Sequence, residues 1–386
     1  MIKGFHKLIH VGVTGRPVEE SDALVVKKAY YVLGISIAGL SLILLNWLDA
    51  SATMFDLMNI KRIILGAMYY MVPMATALAG FTVTQLPATF LLNRVGNRMP
   101  MFLGLVLNGL SLIFSTTSSY HTALFLRFLA GMGLGLYLAP SLLLTLGWWS
   151  VRGLTRWIQV AYLSSITVLL AISTAMITYI TKTTVLYLGV ASIVLSMIVL
   201  FTMKDVVIIK SASIMAVMNN PDVLMLAIAF SVPWGAYLGL IPLTMHVDGT
   251  AGTVALTASL VLTPLLYKYR HAVRVERRKM LFYATAILGG LMALMGIAPP
   301  NYVLVAVGFA FTVVLLSILY IINNLVSPIL IVQSTSYLLT VSSTIGSIIM
   351  VVMGYAIQYL GTLGWITIGI LMVISSLIYR ILKITL

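Results

Sequence analysis

The chain has 386 residues, 61% of them hydrophobic and 8% charged, against about 45–50% and about 25% in soluble domains. That excludes a soluble globular domain, a disordered chain and a basic nucleic-acid-binding protein, so the net charge of +14 bears on which side of a membrane the cations lie. Cysteine is absent, which removes disulfides, cysteine metal sites and thiol nucleophiles.

A membrane-spanning helix needs about 20 mostly apolar residues. Twelve apolar stretches are candidates: 29–52, 63–92, 100–118, 122–147, 156–180, 184–203, 222–243, 252–267, 280–298, 302–323, 333–357 and 363–382. The eighth is short. Runs such as Leu186–Phe201 and Tyr302–Ile322 do not alternate in polarity, which favours helices over barrel strands. Residues 1–28 carry five Lys and Arg beside Pro17, Glu19, Glu20 and Asp22. They lack a short apolar core ending in small residues, so a cytoplasmic tail is expected rather than a cleaved signal peptide.

An even number of spans puts both termini on one side. Placed in the cytoplasm, that side holds 19 of the 23 Lys and Arg. Lys61, Arg62 and Lys182 fall outside, and Arg127 lies within a span. This is the asymmetry of the positive-inside rule, and anionic lipid on the cytoplasmic side is its natural partner. Stretch 204–221 divides six spans (29–203) from six (222–386) and is expected to be a central cytoplasmic loop. Both halves then start on the same side, and each carries a basic loop after its second span, at 93–98 and 268–279. Two parallel six-helix bundles, related by an axis along the membrane normal, follow as the expectation.

Charges near the bilayer centre cost about 2.5–3.5 kcal/mol each on insertion scales. Arg127 lies about five residues inside the fourth stretch, roughly 8 Å deep. It either snorkels to the outer surface or is a buried cation with an acidic partner. Asp49, near the outer end of the first stretch, is the partner candidate; its other reading is a solvated interfacial residue. An Asp–Arg contact that exchanges for protonation of the Asp is a means of proton coupling. Gly131, Gly133 and Gly135 follow Arg127 and are expected to allow close helix packing, and Pro140 to kink the same helix. Asn46, Tyr69, Trp234, Tyr237, Tyr320 and Asn323 are candidates for a substrate cavity, or else helix contacts and interfacial anchors. Pro233 and Gly235 suggest an irregular seventh helix. The five histidines show no metal-ligand spacing, and no HExxH, GxSxG or paired intramembrane carboxylate occurs. No metal, cofactor or enzymatic activity is expected.

The residues after the second stretch read TFLLNRVGNR, with Leu91, Arg94, Gly96 and Arg98 in place and Asn93 where an Asp is usual. That segment resembles the cytoplasmic gate motif of the major facilitator superfamily. RFLAGMGLGLYLAP resembles the family's fourth-helix signature through Arg127, Gly131 and Gly133, and LDASATMFDLMNI its first-helix segment in some proton-linked exporters, with Asp49 at the acidic position. The fifth stretch lacks the Gly and Pro of the family's drug antiporters. The resemblance implies the family's fold of twelve helices, alternating access, a gate latch changed by Asn93, and a role for Asp49 and Arg127 in proton coupling.

The expectation is an all-α polytopic membrane protein of the plasma membrane, both termini cytoplasmic, acting as a monomeric proton-coupled secondary transporter of a small organic solute. No Walker A motif is present to couple it to ATP. The rival readings are an uncoupled facilitator and a non-transporting scaffold or receptor. With Arg127 as the cationic ligand, a neutral or mono-anionic solute is favoured over a polyanion.

Overall fold

A computed structural model of the chain describes residues 22–49, 66–116, 119–150, 155–176, 179–203, 214–247, 249–268, 276–297, 300–326 and 330–381. The tail to residue 21, residues 204–213 of the central connection and residues 269–275 of the second basic loop lie outside these. Among the described residues no strand occurs and every regular element is helical.

The helices in chain order are α1 (Asp22–Leu44), α2 (Gly66–Val95), α3 (Arg98–Ile113), α4 (Tyr120–Ser150), α5 (Thr155–Met176) and α6 (Lys182–Thr202). After them come α7 (Ile214–Met218), α8 (Pro221–Val247), α9 (Gly249–Thr257), α10 (Thr263–Lys268), α11 (Arg277–Leu294), α12 (Pro300–Leu325), α13 (Ile331–Leu360) and α14 (Thr362–Ile381). Eight helices among the described residues are long and apolar enough to cross a membrane: those at 27–47, 67–92, 120–149, 182–202, 221–245, 302–325, 331–360 and 362–381. Shorter apolar helices lie at 98–113, 161–176 and 251–266. The protein is an all-α membrane protein. Large apolar side chains face outward along α6 (Tyr187, Val194, Phe201) and α14 (Leu363, Ile370, Ile374), as a surface bathed in lipid requires.

Local sequence explains where several helices begin and end. Asn220 precedes Pro221, and its Oδ1 accepts from the backbone N–H of Asp222 at 3.0 Å, the pairing of Asn cap and first-turn Pro that starts a helix well. Thr181 caps α6 by accepting from the N–H of Thr184. Gly96 joins α2 to α3 at φ 77 and Gly361 joins α13 to α14 at φ 55, the left-handed region that favours glycine.

The irregular helix is not where the sequence suggested. α8 is unbroken from Pro221 to Val247, with Pro233 and Pro242 inside it. Lost backbone bonds at interior prolines are tolerated where neighbouring helices re-satisfy the freed groups. The break falls in the eighth apolar stretch, where α9 passes through a tight 3₁₀ segment, Ala258–Leu262, into α10. Pro140 likewise lies inside the continuous α4. A second irregularity ends α1, which widens into a π turn over Leu45–Asp49.

Within the first part of the chain, α2 packs on α4, α3 on α4 and α6, and α1 on α4, α5 and α6. Within the second, α9 packs on α12, α11 on α12 and α14, and α8 on α13 and α14. The parts meet along α2 against α13 and along α5 against α9. Hydrogen bonds fix both seams. Gln85 Nε2 donates to Ser336 Oγ at 3.3 Å, and the Thr174 and Thr257 hydroxyls lie 2.6 Å apart.

Candidate functional site

The α2–α4 seam is built on glycine. A Cβ on Gly131 would run into the carbonyl oxygen of Ala77, one on Gly80 into that of Phe128, and one on Gly135 into the hydroxyl of Thr84. Gly133 faces α3, where a Cβ would stand 2.7 Å from the Gly104 oxygen. The three glycines after Arg127 therefore serve helix approach, as small residues do in membrane helices. Gly235 serves the same end in the second part, against Gly346 of α13.

Arg127 is fully buried, so it does not snorkel. Its Nη1 donates to the backbone oxygen of Asn46 at 2.8 Å, within the π turn that ends α1. Its Nε and Nη2 have no hydrogen-bond partner among the described residues. The backbone of Asp49 closes that turn, which brings it to the same region as Arg127. The Asp49 side chain lies outside the described part, so the expected Asp–Arg contact does too.

Asn46 is buried but faces other helices. Its Nδ2 donates to Asn108 Oδ1 and to Ser111 Oγ, both at 2.7 Å. Asn108 Nδ2 in turn donates to Ser192 Oγ at 2.9 Å. This chain of amides and hydroxyls ties the π turn to α3 and α6. Arg127 and Asn46 thus form one interhelical cluster.

A separate cavity of about 90 Å³ lies where the two parts of the chain meet. Leu40, Leu44 and Trp47 from the end of α1, Leu78 and Phe81 of α2, Leu134 and Leu138 of α4, and Leu163, Ile166, Thr167 and Leu170 of α5 form one side. The other side comes from α8, the 3₁₀ segment, α12 and α13. Phe230, Trp234 and Tyr237 are spaced i, i+4, i+7, which puts them on one face of α8. Phe311 of α12 stacks on Tyr237 with ring centres 3.7 Å apart and planes 3° apart. Trp234 and Phe230 lie beside the same ring, at 6.3 and 6.4 Å.

Of the residues singled out in the sequence, Trp234 and Tyr237 line this cavity. Asn46 does not, for the reason given. Tyr69 sits apart with Ala123, Tyr70 and Tyr120, its ring stacked on that of Tyr120. Tyr320 packs with Leu316 and Leu266, and the Arg277 guanidinium lies over its ring at 4.7 Å. Asn323 is buried and is not among the lining residues. In the gate segment, Leu91, Arg94 and Arg98 are exposed, Gly96 makes the turn, and the Asn93 side chain lies outside the described part.

The contributions of Phe230, Phe311 and the leucines were not foreseen. The i, i+4, i+7 spacing of aromatics around Pro233 was the available signal. In the basic region beside α11, Glu276 pairs with Arg278 at 3.2 Å and Lys279 at 3.0 Å. The hydrogen bond from Lys279, then the charges of both cations, hold its carboxyl below the usual range.

Compared with known protein families and with curated proteins, the chain matches none.

Proposed function

We propose that this chain is a secondary transporter of a small organic solute, working by alternating access in the plasma membrane with both termini in the cytoplasm. One observation carries the reading: a buried cavity at the meeting of two parts of the chain whose helices take equivalent places around it. α1, α2, α4 and α5 line one side, and α8, the α9–α10 segment, α12 and α13 the other. α3 with α6, and α11 with α14, pair behind them. The contact of α2 with α13 repeats as that of α5 with α9. This pairing supports twelve spans in two parallel six-helix halves, the arrangement implied by the resemblance to the major facilitator superfamily.

In this reading one half rocks on the other along the α2–α13 and α5–α9 seams. Proton coupling would sit beside the cavity, at the π turn. Protonation of Asp49 would release the buried Arg127 and alter how α4 is held to α1. A charge crossing 100 mV gains about 2.3 kcal/mol, enough to bias such an exchange.

Alternating access is testable without knowing the cargo. The chain has no cysteine, so Leu163→Cys places a single thiol on the cavity wall. A membrane-impermeant maleimide should reach it from either face of oriented vesicles, in separate experiments. Labelling from one face alone, or from neither, refutes alternation. Once a cargo is in hand, Asp49→Asn should abolish pH-driven accumulation and leave exchange. Full gradient-driven uptake by that variant would remove Asp49 from the mechanism.

A further inference from the structure

The cavity wall offers a cargo almost nothing to hydrogen-bond. Trp234, Tyr237 and Thr167 use their polar atoms on partners elsewhere in the fold. Trp234 Nε1 donates to Ser343 Oγ of α13 at 3.0 Å. The Tyr237 hydroxyl donates to the Leu256 oxygen of α9 at 3.1 Å. The Thr167 hydroxyl points to the Ser164 oxygen at 2.8 Å and to the Leu260 oxygen at 3.2 Å. Among the described residues no charged side chain lines the cavity, and Arg127 lies in the interhelical cluster, its Nη1 donating to Asn46 of the π turn. A polar or charged solute entering here would lose its water without replacement, the penalty that buried unpaired groups carry.

What the wall offers is apolar contact: leucines and isoleucines on most sides, and the slab of Phe230, Trp234, Tyr237 and Phe311 on one. At about 90 Å³ the space is of the order of the roughly 150 Å³ cavity that takes up benzene. It is well below the ~300–1,000 Å³ of drug-sized pockets. We infer that the site takes a small, uncharged, apolar molecule about the size of a single aromatic ring. This rests on the transporter reading for the site's purpose, and it removes the mono-anionic branch of the solute classes expected from the sequence.

The test uses three probes with one ring and different charge: 4-fluorotoluene, 4-fluorobenzoate and 4-fluorobenzylamine. Fluorine NMR of the intact protein in lipid nanodiscs separates a protein-bound probe from one dissolved in lipid, which is not saturable. The neutral probe should give a saturable bound resonance with an affinity at least about a hundredfold above either ion, the ratio set by the cost of an unpaired charge in such a site. That preference is read on the unaltered protein. Leu338→Trp and Leu315→Trp, which fill the space from two different helices, should each remove the bound resonance while melting as the parent does.

Equal or tighter binding of the benzoate or the amine overturns the inference, as does a neutral resonance that survives both filling variants. Labelling of Leu163→Cys separates this from the broader reading. Two-sided labelling without neutral-probe binding keeps transport and discards the apolar cargo. Saturable neutral binding with one-sided labelling keeps the site and discards transport.

Discussion

Alanine at two glycines of this fold should act with opposite sign. Gly131 and Gly290 are both interior to helices, α4 and α11. At Gly131 a Cβ runs into the Ala77 carbonyl oxygen and stands 2.7 Å from the carbon and 2.9 Å from the backbone nitrogen of Phe81. All of these are backbone atoms of α2, so relief means parting the two helices rather than turning a side chain. Overpacking costs about 1–3 kcal/mol, and rigid neighbours place this site at the upper end. Alanine regains about 1 kcal/mol of helix propensity over glycine. Gly131→Ala should therefore destabilise by roughly 2 kcal/mol. At Gly290 nothing lies within 4 Å of the added carbon, so Gly290→Ala keeps the propensity gain alone, about 1 kcal/mol. At about 2 °C per kcal/mol, the lower end for chains of this size, the two variants should part by about 6 °C. Thermal unfolding followed by tryptophan fluorescence in nanodiscs measures it. A Gly131→Ala protein as stable as Gly290→Ala would mean that the α2–α4 approach is not as close as described.

Three further outcomes follow from the polar cluster and the charge pattern. Asn46→Ala leaves Asn108 Oδ1 without the donor it has at 2.7 Å and should cost about 1–2 kcal/mol in a membrane setting; pairing it with Asn108→Ala in a double-mutant cycle should show the two losses overlapping rather than adding. Arg127→Met removes a fully buried cation and, under the proposed pairing with Asp49, leaves that carboxylate uncompensated, so stability should fall by about 3 kcal/mol or more and pH-driven accumulation should be lost. A fall of no more than about 1 kcal/mol would mean that Arg127 is not half of such a pair. On the cysteine-free background, His271→Cys should react with an impermeant maleimide from the cytoplasmic face and Thr183→Cys from the outer face, and the reverse pattern would invert the orientation drawn from the Lys and Arg distribution.

How far the sequence reaches is set by what the bilayer makes expensive. Unbroken apolar runs must be helical because lipid satisfies no backbone group, so the all-α membrane class was legible. Gly131, Gly133 and Gly135 were legible as contacts because small residues let helix backbones approach. The burial of Arg127 was legible only as one of two readings, since a cation that deep either reaches water or is held. The cavity was hidden, and for a physical reason. In a soluble protein the polar face of a helix reports solvent and the apolar face reports the core. Here a wall of leucines facing an apolar cavity has the same composition as a row facing lipid, so periodicity could not tell Leu338 on α13 from Ile374 on α14. Polar residues are ambiguous in the same way. An amide within a span needs a partner, so from sequence Asn46 reads as a cavity residue or a helix contact, and Asn108 and Ser111 of a neighbouring helix supply the contact. The same logic drew Pro233 and Gly235 toward a broken helix, whereas Gly235 marks the close approach to Gly346 and the break lies at Ala258–Leu262. In this chain polar and small residues mark where helices touch. The open space is marked by the aromatic slab on α8 and α12, whose polar atoms point out of it.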